Sequence, residues 1–153
     1  MLTAIVILPS SAFADDNDER RWGLTIWGVS YHVNKSIDYA ADNWGAGVRY
    51  YVKPRHIFFE ADALRNSNRG LVLPVSAGAE IGVGGVAGCR FSLLGALVAA
   101  YYQNPRKETT EVKWGPVPGV TIGCGRVKTN VLVILAKSQE PLAAIAASFT
   151  ILF

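Results

Sequence analysis

The last ten residues of this chain alternate between apolar side chains and side chains that are mostly small or polar. The apolar series is Ile145, Ala147, Phe149, Ile151 and Phe153. A period of two places such a series on one face of an extended strand. A strand of this kind fits a barrel with lipid outside and a packed interior, and it also fits a soluble β-sandwich. The rest of the sequence must distinguish these two folds.

Composition favours strands over helices as the means of crossing a membrane. Hydrophobic residues make up 50% of the chain and charged residues 18%, yet no segment provides the ~20 consecutive apolar residues of a transmembrane helix. A transmembrane strand needs only about 9–11 residues. The 15 Gly, six Tyr, six Phe and four Trp also favour strands. The net charge of +3 is not gathered into a basic stripe, so no nucleic-acid partner is expected.

The N-terminal segment predicts export. Residues 2–8 form a short apolar run, Ala12 and Ala14 are small residues where a signal peptidase cleaves, and an acidic stretch follows. We therefore expect residues 1–14 to be a signal peptide and residues 15–153 to form one outer-membrane β-barrel domain. No basic residue precedes the apolar run, so an internal start at Met1 stays open. The terminal Phe153 resembles the assembly signal of outer-membrane barrels, which implies a Gram-negative outer membrane and the barrel-assembly machinery as a partner.

Eight strand-like runs follow the acidic stretch. Their connections alternate between polar segments, such as 34–43 and 103–116, and short or glycine-rich ones, such as 54–56 and 82–88. Long loops on one rim and short turns on the other are typical of bacterial barrels. The pattern predicts an all-β fold, an eight-stranded antiparallel up-and-down transmembrane β-barrel. The predicted strands are 22–33, 44–53, 57–66, 71–81, 89–102, 117–125, 127–136 and 142–153.

Alternation along these runs assigns side chains to the interior. In the first run, Ile26, Gly28, Ser30 and His32 are expected to face inward, and Trp27 outward. Inward charges are expected to form ion pairs, since a charge facing lipid near the midplane costs about 2–4 kcal/mol. These charges are Arg49, Glu60, Asp62, Glu80, Arg90, Arg126 and Lys128. The outer half of the interior is predicted to form a slot for a hydrocarbon chain. The substrate-binding residues predicted for this slot are Gly28, Ser30, Gly78, Ala96, Val98, Leu132 and Ile134.

Three prolines fall within or at the start of strand-like runs. Pro74, Pro116 and Pro118 lack the N–H group that a strand ladder requires. They could start strands or lie at bulges. In a barrel embedded in lipid they could also leave a local gap through which a lipid tail reaches the interior.

Four segments resemble, in order and approximate spacing, the outer-membrane lipid A palmitoyltransferases. They are residues 26–32 (IWGVSYH), residues 64–69 (LRNSNR), residues 116–118 (PVP) and the terminal Phe153. Members of that family are eight-stranded barrels that move a palmitoyl chain from a phospholipid to lipid A. The resemblance implies an acyltransferase with a phospholipid donor and lipid A as acceptor. It implies His32 as catalytic histidine, and Asn66 and Ser67 where the family has an Asp-Ser pair.

These residue types suit acyl transfer. His32 suits a general base because histidine titrates near neutrality, and Ser67 could act as nucleophile or hydrogen-bond donor. The Asn66 amide could polarise an ester carbonyl. A lipid A deacylase is one alternative, although its characteristic His and Ser lie together on a late strand, where no such pair is evident. A non-catalytic structural or lipid-binding barrel is the other. No cofactor and no metal are expected, and we expect a monomer.

The two cysteines allow a disulfide. A symmetric hairpin centred on residues 106 and 107 would bring Cys89 and Cys124 opposite each other, and the periplasm is oxidising. Cross-strand geometry accepts a disulfide only in some cases, so a bond and two free thiols both stay open.

Overall fold

The computed structural model describes residues 20–32, 42–52, 56–66, 68–105, 108–135 and 144–153. Each strand pairs antiparallel with its neighbour in sequence, and the first pairs with the last, so the sheet closes into a barrel. The predicted all-β, eight-stranded, antiparallel up-and-down barrel is confirmed. The strands are β1 (Trp22–His32), β2 (Asp42–Val52), β3 (Ile57–Arg65), β4 (Leu71–Val86), β5 (Cys89–Asn104), β6 (Thr109–Cys124), β7 (Val127–Ile134) and β8 (Ala144–Leu152).

The barrel has two different rims. The loop rim carries the β1–β2, β3–β4, β5–β6 and β7–β8 connections, and the turn rim carries the other three together with the start of β1 and the end of β8. Residues 1–14, the predicted signal peptide, lie outside the described residues, and so does Ser67. In the described part of the chain there is no helix long and apolar enough to span a membrane.

Two strands are longer than predicted. β4 runs on to Val86 through the glycine-rich stretch that was expected to turn, because a register shift between Gly82 and Gly84 lets the pairing with β5 continue. The turn itself is Ala87 and Gly88, both at positive φ, as a two-residue hairpin requires. β6 begins at Thr109, where polar residues were expected to form a loop, and this segment pairs with the end of β5.

A β-bulge in β1 corrects the predicted faces. The register with β8 shifts between Trp27 and Val29, which leaves Gly28 as the extra residue. The register with β2 also shifts there, but with the extra residue on β2. As a result, Trp27 faces the interior and Ile26 the outer surface, contrary to the alternation that the sequence predicts. Beyond the bulge, Ser30 is buried and Val29 is exposed, as predicted.

Glycines in the barrel wall leave space that large side chains on paired strands occupy. A side chain at Gly78 would meet the Phe58 ring at 2.5 Å, and one at Gly119 would meet Leu132 at 2.7 Å. Small barrels fill their interior by such small and large pairs. The apolar core consists of Tyr51, Phe58, Leu94, Leu132 and Leu152.

Charged side chains fill the interior near the turn rim. Glu80 accepts hydrogen bonds from Arg49 (3.1 Å), Tyr51 (2.8 Å) and Lys128 (2.6 Å), and Arg49 also forms an ion pair with Glu60. We call Arg49, Tyr51, Glu60, Glu80 and Lys128 the charge cluster. The expected ion pairing is therefore confirmed for Arg49, Glu60, Glu80 and Lys128. Asp62 instead accepts a hydrogen bond from Trp27 Nε1 at 3.1 Å. The Arg126 side chain instead lies exposed in the β6–β7 turn, because the strand ends before it.

Cys89 and Cys124 form a disulfide between β5 and β6. They are directly opposite in the strand register, with their Cα atoms 4.3 Å apart. The pair lies at the turn rim, next to the β4–β5 and β6–β7 turns.

Candidate functional site

Three polar side chains meet at the loop rim inside the barrel. Ser30 and His32 are two residues apart on β1 and therefore share its inner face. The Ser30 Oγ atom lies 3.3 Å from His32 Nε2 and accepts a hydrogen bond from Asn43 Nδ2 on β2. Ser30 is buried, with 5% of its surface exposed, whereas His32 is partly accessible. The predicted base His32 and the predicted slot residue Ser30 are thus in contact.

Asn43 is the member of this group that sequence reasoning missed. The inner face of β2 was recognisable from Arg49, and Asn43 has the same parity along the strand. Every second residue before Arg49 shares its face of the strand, namely Gly47, Gly45 and Asn43. This alternation places Asn43 inside the barrel near the loop rim. The polar segment 34–43 predicts a connection, and Asn43 is its last residue.

Asn66 organises the β3–β4 connection. Its Oδ1 atom accepts hydrogen bonds from the backbone N–H groups of Asn68 (2.9 Å) and Gly70 (3.0 Å), while its Nδ2 group donates to the carbonyl of Gln103 (2.7 Å). An asparagine that holds a turn in this way is typical of connections where the chain reverses direction. The amide therefore ties β3, β4 and β5 together at the loop rim, a structural role that sequence reasoning did not predict.

The predicted slot residues have different surroundings. Leu132 is buried in the core, Ala96 packs against the core, and Gly78 is covered by Phe58. Gly28 is exposed at the bulge. Val98 is half-buried and Ile134 is exposed, and both lie beyond this core toward the loop rim.

Gly115 leaves open space next to Val98 on the inner face of the barrel. It pairs with Val98 and lies on the inner face of β6, and a side chain placed there would meet no atom within 4 Å. The inner-face residues around this position toward the loop rim are Val98, Gly115, Val117 and Ile134, and we call this region the upper chamber. Its floor is formed by Leu94 and Leu132.

The ladder of the barrel wall is interrupted beside the upper chamber. The pairing of β6 with β7 ends at Gly119 and Leu132, although β7 continues through Ile134. The next residue of β6 is Pro118, which has no N–H group to donate. An interruption of the same length, two residue pairs, lies within the β3–β4 ladder, where the pairs that would include Pro74 and Leu73 are absent from the register.

Prolines thus lie at two interruptions in the described ladders, and the one between β6 and β7 lies beside small and aliphatic side chains. Among the described residues, no group of three or more His, Cys, Asp or Glu side chains could hold a metal ion. Comparison with models of known protein families and with curated proteins finds no match for this chain.

Proposed function

We propose that this protein is an outer-membrane lipid acyltransferase that moves an acyl chain from a phospholipid to lipid A. The carrying observation is the interrupted β6–β7 ladder beside the upper chamber, with His32 at the same rim of the barrel. The donor's acyl chain would pass through the interruption into the chamber. His32 would then act as general base on the acceptor hydroxyl.

The outer surface of the barrel supports a location in a bilayer. Large apolar side chains are exposed on the outer face of every strand, while polar and charged side chains are held inside. A soluble barrel of this size would place polar groups outside, whereas lipid favours the reverse arrangement. One exposed apolar residue from each strand, in order, is Leu24, Val48, Phe59, Val75, Leu93, Val120, Val127 and Phe149.

The ladder bonds lost between β6 and β7 cost free energy of folding, and a barrel with a purely structural role would avoid that cost. In hydrocarbon, no water replaces the ladder bonds that are lost next to Pro118. The chamber beside it is lined by aliphatic side chains and Gly115, so a hydrocarbon chain would find apolar contacts there. Binding of an acyl chain explains why lost ladder bonds lie next to apolar side chains, whereas the stability of the barrel does not.

Lipid A analysis tests the proposal. Lipid A from isogenic Gram-negative cells with and without this chain would be compared by mass spectrometry, and we expect one added acyl chain when the protein is present. His32→Ala should abolish the addition. His56→Ala is the matched control, because His56 lies at the turn rim, where its Nδ1 is 3.3 Å from the Glu80 carbonyl. Unchanged lipid A in cells with a folded wild-type barrel contradicts the proposal.

A second variant tests the chamber. Gly115→Trp would fill the space next to Val98 without displacing neighbouring atoms within 4 Å of the new Cβ. We expect a folded barrel whose acyl transfer is lost or shifted to shorter chains. Full transfer of the same chain by this variant would show that the acyl group binds elsewhere.

Hydrolysis of a lipid ester is the second candidate. The observation that favours it is the contact between Ser30 and His32 on one strand, a Ser-His pair that sequence reasoning did not recognise. Water in place of the acceptor hydroxyl would convert transfer into deacylation. The same lipid A spectra distinguish the two functions, because deacylation removes one acyl chain and transfer adds one.

A further inference from the structure

The hydrogen bonds around Ser30 allow its hydroxyl group to donate to His32. An amide nitrogen can only donate, so Ser30 Oγ is the acceptor in its bond with Asn43 Nδ2. This leaves the single hydroxyl proton available to the other neighbour, His32 Nε2, at 3.3 Å. His32 can accept it in the tautomer that carries its proton on Nδ1. This is the relationship between a nucleophile and its general base.

The bulge at Gly28 is what places this pair inside the barrel. With unbroken alternation from the inward Trp27, Ser30 and His32 would both face outward. The extra residue reverses the alternation, so that Trp27, Ser30 and His32 all face the interior. Bulges that re-aim a side chain are over-represented next to active sites.

We propose that Ser30 is the nucleophile of this site and carries the acyl chain as a covalent ester. The inference deepens the proposed function, on which it rests, by replacing direct transfer with two steps through an acyl-enzyme. It also assigns the nucleophile to β1 and not to the β3–β4 connection.

In the first step, His32 Nε2 takes the hydroxyl proton as Ser30 Oγ attacks the ester carbonyl of the phospholipid. The bond between the acyl carbon and the glycerol oxygen breaks, and His32 returns the proton to that oxygen, which releases a lysophospholipid. In the second step, His32 takes the proton of a lipid A hydroxyl, whose oxygen attacks the Ser30 ester. The ester bond to Oγ breaks, and His32 returns the proton to Ser30.

Labelling with a fluorophosphonate tests this assignment. The probe reacts with activated serines, and the labelled peptide is identified by mass spectrometry of the purified, folded barrel. We expect label on Ser30, its loss in Ser30→Ala, and a large decrease in His32→Ala. Ser76→Ala is the matched control, because Ser76 also faces the interior but lies on β4, opposite Glu60. This control should label and acylate lipid A as the wild type does.

If Ser30→Ala folds poorly, the variant Ser30→Cys provides a second test of Ser30 as nucleophile. Both natural cysteines are in the disulfide, so the new thiol would be the single free one. We expect this variant to retain measurable acyl transfer and to lose it on treatment with a maleimide, to which the wild type is insensitive. For folded Ser30→Ala we expect transfer to fall at least about a hundredfold.

The outcomes separate this inference from the proposed function. Undiminished acylation of lipid A by folded Ser30→Ala, or label on a different serine, overturns Ser30 as nucleophile and leaves the acyltransferase proposal intact. Label on Ser30 in a wild type that leaves lipid A unchanged supports the nucleophile and contradicts lipid A as the substrate.

Discussion

Gly78 on β4 lies directly opposite Phe58 on β3, and the Phe58 ring occupies the space that a side chain at Gly78 would need. The ring is almost completely buried and also lies beneath the Arg49 guanidinium, whose Cζ atom is 4.3 Å from the ring centroid. One glycine therefore supports both the apolar core and the charge cluster beside it.

Gly78→Ala should destabilise the barrel. The new Cβ would lie 2.5 Å from Phe58 Cζ and 2.7 Å from the Gly95 carbonyl oxygen, and the backbone cannot easily move away. Overpacking of this kind costs about 1–3 kcal/mol. The free energy of unfolding in lipid vesicles, measured by urea titration, checks the expected loss. Gly115→Ala is the control and should unfold like the wild type, since its Cβ would meet nothing within 4 Å.

Glu80→Ala should be more damaging. It removes the carboxylate shared by Arg49 and Lys128, which leaves two cations in the interior with fewer acceptors. Breaking a buried ion pair by removing one partner costs about 3–5 kcal/mol. Glu111→Ala is the comparison, because its ion pair with Lys113 is about half exposed and should contribute less than about 1 kcal/mol. Equal unfolding midpoints for the two variants would show that the charge cluster does not stabilise the barrel.

The disulfide should make the chain free of reactive thiols. Titration with a maleimide should find no free thiol in unreduced protein and two after reduction under denaturing conditions. Replacing both Cys89 and Cys124 with serine should lower the free energy of unfolding by about 2–4 kcal/mol while the barrel still closes. The β5–β6 ladder keeps fifteen further residue pairs, from Arg90–Gly123 to Asn104–Thr109, so pairing does not depend on the bond. Two thiols in the unreduced, unfolded protein would rule the disulfide out.

The bulge predicts an unusual pattern of contact with lipid. Ile26 and Val29 are an odd number of residues apart, yet both should face the bilayer because Gly28 is the extra residue between them. Fluorophores attached at Ile26→Cys and Val29→Cys should both be quenched by brominated lipids in reconstituted vesicles. A fluorophore at Thr25→Cys should be protected, since Thr25 is fully buried and contacts Thr150 inside the barrel. Quenching at only one of the first two positions would mean that the alternation is unbroken.

Local patterns in the sequence were sufficient for the strands and for most of their faces. The alternation of Ile145, Phe149 and Ile151 with small residues predicts β8 and its outer face, and the spacing of Cys89 and Cys124 allowed the disulfide. Polar segments were less reliable, because the start of β6 at Thr109 is polar and still pairs with β5. The polar residues at the start of β6 are exposed to solvent. Exposure to solvent is common to loops and to projecting hairpins, so polarity does not distinguish them.

The candidate site depended more on tertiary structure. The sequence by itself determined that His32 and Ser30 share one face of a strand, since residues two apart always do. Which face that is depended on the bulge at Gly28, which appears only when β1 is aligned with β8. The contact of Ser30 with Asn43, and the covering of Gly78 by Phe58, likewise join residues on different strands. Alternation is a property of one strand, whereas register and packing are properties of pairs of strands, and only the closed barrel decides them.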